Sequence, residues 1–390
     1  MRLMTVSAVL IGLLLALVAM VGLYPAPNKP PPRPAPTTRL SATLEIAPTA
    51  EALTFARFGE GATARTLAVK SYQDGSVSGV DLTSLMQPGE DAIALYNRLG
   101  YDRISAFVAE ASTAESHDAA TLAVPVDLRN VHAAVATNYP EHANEAKVKD
   151  GPFMFAKVAQ PTASRAAIPA IDGLLDYEVE LCLVTLTPLK AADGAKGGLI
   201  LCNDVTDRAA LLRGADVRNV SSGDGFTDGK SGAGFLPVGD LFVVPRDLKA
   251  FVAPLDLQLS VNGEPRQRTR VTQWIWDLDR LVLETAKRQG VRWTWRQGSA
   301  QLPVSVDGII ADRTLILAGT PAGTIFKGPS LATYVRGAGD WILGFGKGGL
   351  IKRIVERAIT DDKASGAFLM PGDVVSIRVE RLGSLDNRVE

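Results

Sequence analysis

Asp176-Tyr177-Glu178-Val179-Glu180-Leu181-Cys182-Leu183 alternates: Tyr177, Val179, Leu181 and Leu183 fall on one side, Glu178 and Glu180 on the other. A period of two over this length marks a β-strand with one apolar face. Residues i and i+2 of a strand lie roughly 7 Å apart at their Cα atoms, so the two carboxylates project in parallel. Beside an apolar surface they repel one another unless one is protonated or both bind a cation. Hard cations such as Mg²⁺, Mn²⁺ or Ca²⁺ take such oxygen ligands. A solvated strand face with two inert glutamates is the plain alternative for this segment alone.

Outward from this strand, residues 128–390 contain further short apolar runs separated by Gly and Pro: GGLILCND (197–204), LFVVP (241–245), LDLQLSVNGE (255–264), TLILAG (314–319) and DVVSIRVERLG (373–383). They predict a β-rich α+β body with few helices. One helix is expected over Thr272–Arg288, with Ile275, Leu278, Val282 and Ala286 on one face. A second, amphipathic, carries Leu350, Ile351, Ile354, Val355 and Ile359 opposite Lys352, Arg353, Glu356 and Arg357. Residues 41–127 read as a smaller mixed region. There, TLAVKSYQDG and SVSGVDLTSL form strands around an Asp74-Gly75 turn, and helical stretches follow near 89–98 and 103–112.

The start of the chain differs. Met4 to Tyr24 is uncharged, and about twenty apolar residues suffice to span a bilayer. Residues 1–24 are therefore expected to be a membrane anchor or an uncleaved signal, and the proline-rich residues 25–40 an extended linker. This predicts a single-pass membrane protein, its body leaning towards the periplasmic side. Lys plus Arg total 41 against 42 Asp plus Glu, and this balance offers no electrostatic case for nucleic acid. The chain has two cysteines, Cys182 and Cys202, too few for a disulfide scaffold. If their strands pair with Glu180 opposite Asp204, the cysteines face each other; two buried thiols are expected, with a disulfide as the alternative.

Four other segments carry chemistry. An apolar strand ends in Asn203-Asp204-Val205-Thr206-Asp207-Arg208, where Asp204 supplies a third carboxylate or simply an Asx turn. His142 and Glu145 are spaced to share a helical face, as a water-activating base and its orienting acid do, or as any surface pair does. Lys230 stands in a Gly-rich loop, and Thr320 in the turn Ala318-Gly319-Thr320-Pro321-Ala322-Gly323. Gly344 to Gly349 fits GxGxxG, but no βαβ unit surrounds it, so dinucleotide binding is not expected.

Together, NYPEHANEA (138–146), DYEVELCLV (176–184), NDVTDR (203–208), GKSGAGFLPVG (229–239), VNGE (261–264), AGTPAG (318–323) and PGDVVSIRVERLGSLDN (371–387) form an ordered series. It resembles the fumarylacetoacetate hydrolase superfamily, acylpyruvate hydrolases included, over about 128–390. The resemblance implies that superfamily's mixed β-roll fold and that Glu178, Glu180 and Asp204 hold a divalent cation, Mg²⁺ first and Mn²⁺ or Ca²⁺ next. It further implies that His142 and Glu145 activate water, that Lys230 stabilises developing charge, and that Arg208, Lys230 and Thr320 bind a small oxo-acid. The implied reaction is metal-dependent hydrolysis of a C–C bond in a β-diketo acid by a homodimer. A 2-oxo acid decarboxylase or tautomerase, or a membrane-tethered binding protein without turnover, are the alternatives. Asp207, Ala209 and Gly239-Asp240 depart from the family pattern, and Asp207 is expected to put an extra charge near the metal. So does an insertion over about 324–368, which is expected to cover the active site, join subunits or touch a membrane surface.

Overall fold

The computed structural model describes residues 43–390 apart from 60 and 297. Ten strands form one sheet in the order Glu115–Asp118, Ser76–Asp81, Arg65–Gln73, Ala52–Phe58, Phe242–Pro245, Gly198–Asn203, Val179–Val184, Leu315–Leu317, Val131–Ala136 and Phe153–Val158. All neighbours are antiparallel except Leu315–Leu317 with Val131–Ala136. Strands from both the smaller region and the larger body share this sheet, joined where Ala52 pairs with Pro245 and Phe55 with Phe242. A four-stranded antiparallel sheet, Glu264–Arg270, Asp256–Val261, Val374–Val379 and Gly383–Arg388, packs beside it. The expected β-rich fold with few helices is what the chain adopts.

The two central strands, Val179–Val184 and Gly198–Asn203, are buried throughout. Their apolar runs therefore fill the core on both sides. Their register differs from the expected one: Glu180 lies opposite Cys202, and Cys182 opposite Ile200. The cysteines are then diagonal neighbours on one face, 6.2 Å apart at Cα, and they form a disulfide. That separation lies within disulfide reach, and it corrects the expectation of two free buried thiols.

Tertiary contacts also shorten the helix expected over Thr272–Arg288. The regular helix runs Leu278–Ala286, capped by Asp277, which accepts from Arg280 N. Ahead of it, Asn138 holds the chain extended: its side chain accepts from Trp276 N at 2.7 Å and donates to Trp276 O at 3.0 Å. The two helical stretches expected near 89–112 form Ala92–Glu110, broken at Gly100, where φ is 74°.

The stretch 4–24 that suggested an anchor lies outside the described residues. Among the described residues no helix is long and apolar enough to cross a membrane, and the expected placement as a single-pass membrane protein is corrected on that finding. The longest described helix, Ala92–Glu110, carries Arg98, Asp102, Arg103 and Glu110, charges that a bilayer core excludes.

The insertion is a helical hairpin, Leu331–Leu343 and Leu350–Ser365. The helices touch at Gly337, where an added Cβ would sit 2.6 Å from Ile354 Cα. Arg357 clamps Asp340 through two hydrogen bonds, 2.7 and 2.8 Å. Arg213, on the helix Arg208–Gly214, pairs with Glu356 and ties the hairpin to the body.

Candidate active site

Glu178 precedes the strand Val179–Val184, Glu180 lies within it, and Asp204 follows the neighbouring strand Gly198–Asn203. A backbone bond from Asp204 N to Glu178 O, 2.9 Å, fixes their approach. One carboxylate oxygen from each of the three lies within 4.8 Å of the others, and all three residues are buried.

Three cations surround them. Lys230 Nζ donates to Glu178 Oε2 at 2.7 Å, Asp204 Oδ2 at 2.8 Å and Thr206 Oγ1 at 2.8 Å. Arg208 donates to Asp176 Oδ2 at 2.8 Å and to Glu178 Oε1 at 2.5 Å. Lys157, fully buried, donates to Asp204 Oδ1 and to the Lys230 carbonyl, both at 2.5 Å. Lys230 ends a short helix, Phe226–Lys230, and so stands on a fixed element where the sequence suggested a loop. Gly229 makes this possible, because a Cβ there would lie 2.6 Å from Leu211 Cβ.

The charges respond to this setting. Burial raises Glu178, but Lys230 and Arg208 outweigh it and hold the carboxyl at about 2. Glu180 is pushed well above the usual carboxylate range by burial, then by Asp204 and Glu178. Its direct stabilising contact is the N–H of Gly319, 2.7 Å from Oε2. Of the three carboxylates, Glu180 is the one with no cationic side chain bonded to it among the described residues. An oxygen-only donor set of this span fits a hard divalent cation.

His142 sits on the helix Pro140–Glu145. Its Nδ1 lies 3.5 Å from Glu145 Oε2. Burial lowers its pKa to about 4; nearby Glu178 opposes the shift, while Arg208 and Lys230 reinforce it. The imidazole is therefore neutral at pH 7 and able to accept a proton. Glu145 also accepts from Gly323 N at 3.1 Å and pairs with Lys327, so the root of the insertion is bound to the residue behind His142.

His142, Glu178, Arg208, Lys230 and Thr320 line one cavity of about 320 Å³. The Thr320 hydroxyl is occupied internally: it donates to Val179 O at 3.0 Å and accepts from Gln267 Nε2 at 2.9 Å. Glu180, Asp204 and Glu145 do not line this cavity; Glu180 and Asp204 adjoin it through their cluster with Glu178, and Glu145 stands behind His142. Asp207 is the exception to its anticipated setting. It caps the helix Arg208–Gly214 by accepting from Ala209 N, it also accepts from Leu174 N, and among the described residues it makes no bond to the acidic cluster. Sequence reasoning missed Lys157, Asp176 and Gln267. For Lys157 a signal existed, a lone Lys in the apolar strand Phe153–Val158.

The family model for the fumarylacetoacetate (FAA) hydrolase C-terminal domain matches residues 131–390. The chain belongs to this family. A fumarylacetoacetate hydrolase domain-containing protein 2 homolog of Dictyostelium discoideum is 25% identical over 274 residues, 66% of this chain and 70% of that one. An uncharacterized protein of Pyrococcus horikoshii is 30% identical over 161 residues, 38% of this chain and 66% of the relative. Among solved structures, a fumarylacetoacetate hydrolase from Exiguobacterium antarcticum superposes with a TM-score of 0.55 at 21% identity, covering 87% of this chain and 99% of that one. A probable 2-hydroxyhepta-2,4-diene-1,7-dioate isomerase from Mycobacterium abscessus gives 0.54 at 20% identity, with 87% and 98% covered. At these identities the two structures establish the shared fold.

Proposed function

We propose that the protein is a divalent-metal hydrolase that cleaves a C–C bond in a small 2,4-dioxo acid. One observation carries this reading: a neutral, buried His142 lines the same cavity as Glu178, whose carboxylate belongs to a compact acidic triad bridged by Lys230. Glu178, Glu180 and Asp204 would hold the cation, Mg²⁺ first. When bound, it supplies Lewis-acid polarisation of the substrate's oxo groups.

The chain's own residues supply the rest. His142, its Nδ1 turned to Glu145, accepts a proton from water at Nε2. The hydroxide equivalent adds to the carbonyl distal to the acid. The C–C bond then breaks, leaving one carboxylic acid and one enolate, which takes up a proton to give the 2-oxo acid. Lys230 and Arg208 offset the negative charge that develops on the enolate and the substrate carboxylate. The proposal keeps the homodimer, which light scattering would read as twice the chain mass.

The test uses the full chain and a panel of acylpyruvates, following loss of enol absorbance with Mg²⁺, with Mn²⁺ and with chelator. Metal-dependent turnover to pyruvate and a carboxylic acid, lost in Glu178→Ala and His142→Ala, is expected. Release of CO₂, or isomerisation without cleavage, would reassign the site to a decarboxylase or tautomerase. Absence of turnover despite cation binding would point to a binding protein.

A further inference from the structure

The cavity has two chemically distinct ends. His142, Glu178, Arg208, Lys230 and Thr320 form one end. The remaining wall is almost wholly apolar, built from Leu211, Leu212 and Phe226 on one side and Ile351, Ile354 and Val355 of the insertion on the other. Lys147, the other charged residue on that wall, uses its ammonium on the Pro329 carbonyl at 2.6 Å. A 2,4-dioxo acid head needs only the polar end.

The apolar end is a built feature. The hairpin is fixed to the body by Arg213–Glu356 and Lys363–Asp172, and to the catalytic side by Lys327–Glu145. Gly337 lets its helices close on one another at Ile354. The amphipathic face of Leu350–Ser365 thereby presents Ile351, Ile354 and Val355 to the cavity, with Lys352 and Arg353 exposed. An apolar wall continuous with a polar head site is the usual form of a pocket for an amphiphilic small molecule.

We infer that the insertion forms an acyl-chain chamber, so that the substrate is an oxo-acid with an unbranched apolar tail lying between the hairpin and the helix Arg208–Gly214. The inference rests on the oxo-acid reading of the polar end. The tail leaves the carbonyl attacked by water and runs beneath Ile354. Its burial supplies binding that the small head alone lacks.

Calorimetry on the full chain with MnCl₂ tests it, using pyruvate, 2-oxobutyrate, 2-oxohexanoate, 2-oxooctanoate and 2-oxodecanoate as probes. The dissociation constant is expected to tighten about fourfold per methylene until the wall is covered. In Ile354→Ser, checked for folding by circular dichroism, the slope of log Kd against chain length should flatten. A constant independent of chain length, or an undiminished slope in the folded variant, overturns the chamber. Turnover of acetylpyruvate with flat chain-length dependence would overturn the chamber and leave the hydrolase standing. Chain-dependent binding without turnover of any acylpyruvate would do the reverse. Binding of no 2-oxo acid at all would remove both.

Discussion

Glu180→Gln should reverse the stability order of the protein according to whether a divalent cation is present. In the folded chain Glu180 is shifted upward by burial, Asp204 and Glu178, so it holds its proton at pH values where an unfolded glutamate, at about 4.3, has lost it. Such a group lowers stability progressively as pH rises above the unfolded value, because the folded state binds the extra proton. Glutamine mimics the protonated acid. Its carbonyl can accept from Gly319 N, as Oε2 does at 2.7 Å, and its amide can donate towards Asp204 or Glu178. Without cation the variant is therefore expected to be more stable than the wild type at pH 7 to 8, with the difference vanishing below about pH 4. With cation the order inverts. At one hundred times its dissociation constant a native-state ligand adds about 2.7 kcal/mol, which in a chain of this size raises the melting temperature by about 3 °C. Glutamine supplies no anionic oxygen, so the variant should gain little. Thermal unfolding in chelator and across a Mg²⁺ or Mn²⁺ titration, at pH 5 and pH 7.5, reads all four corners. A cation-dependent rise in the variant equal to that of the wild type would refute the ligand assignment. A variant less stable than the wild type in chelator at pH 7.5 would refute the account of Glu180.

Three further predictions follow from named contacts. Lys157→Met leaves Asp204 without the ammonium 2.5 Å away and should cost about 3–5 kcal/mol in urea unfolding, as expected when one member of a buried pair is removed; a loss under about 1 kcal/mol would show that Lys157 is not charged there. His132 is lowered to about 3 by burial and then by Lys157. The unfolded state alone takes up its proton between about pH 6.5 and 3, so stability should fall with pH across that window. From pH 7 to pH 5 this group accounts for about 2 kcal/mol, a dependence His132→Asn should remove; equal pH slopes in the two proteins would contradict it. Unreduced, denatured protein should leave both Cys182 and Cys202 unlabelled by a thiol reagent, and labelling of both would refute the disulfide.

Much of the candidate site was legible in the sequence, for local reasons. Strand alternation places Glu178 and Glu180 on one side, helical spacing brings His142 and Glu145 together, and an apolar run ending in Asp204 marks the end of a strand. Those periodicities belong to single elements, so the sequence states them directly. The pairing of elements was not legible. Alternation determines a face but not a register, and the two-residue offset between Glu180 and its expected partner makes Cys182 and Cys202 diagonal neighbours, joined in a disulfide, instead of a directly opposed pair. Lys157 could be noticed as a charge in an apolar strand, but only the approach of Asp204 explains its burial. Asp207 looked like extra charge beside a metal and proved to be a helix cap, because the N–H of Ala209 donates to its carboxylate.

The sequence by itself determined the β-rich body, since strand alternation follows from residue type and short-range spacing, while the resemblance of its ordered segments marked the three carboxylates and the His142–Glu145 pair. Tertiary structure alone decided what closes over them. The amphipathic pattern at 350–359 states that one face must be covered, yet it cannot name the surface that covers it. That depends on contacts between residues far apart in the chain, Gly337 against Ile354 and Arg213 against Glu356, which bring an apolar wall to the cavity shared by His142 and Lys230.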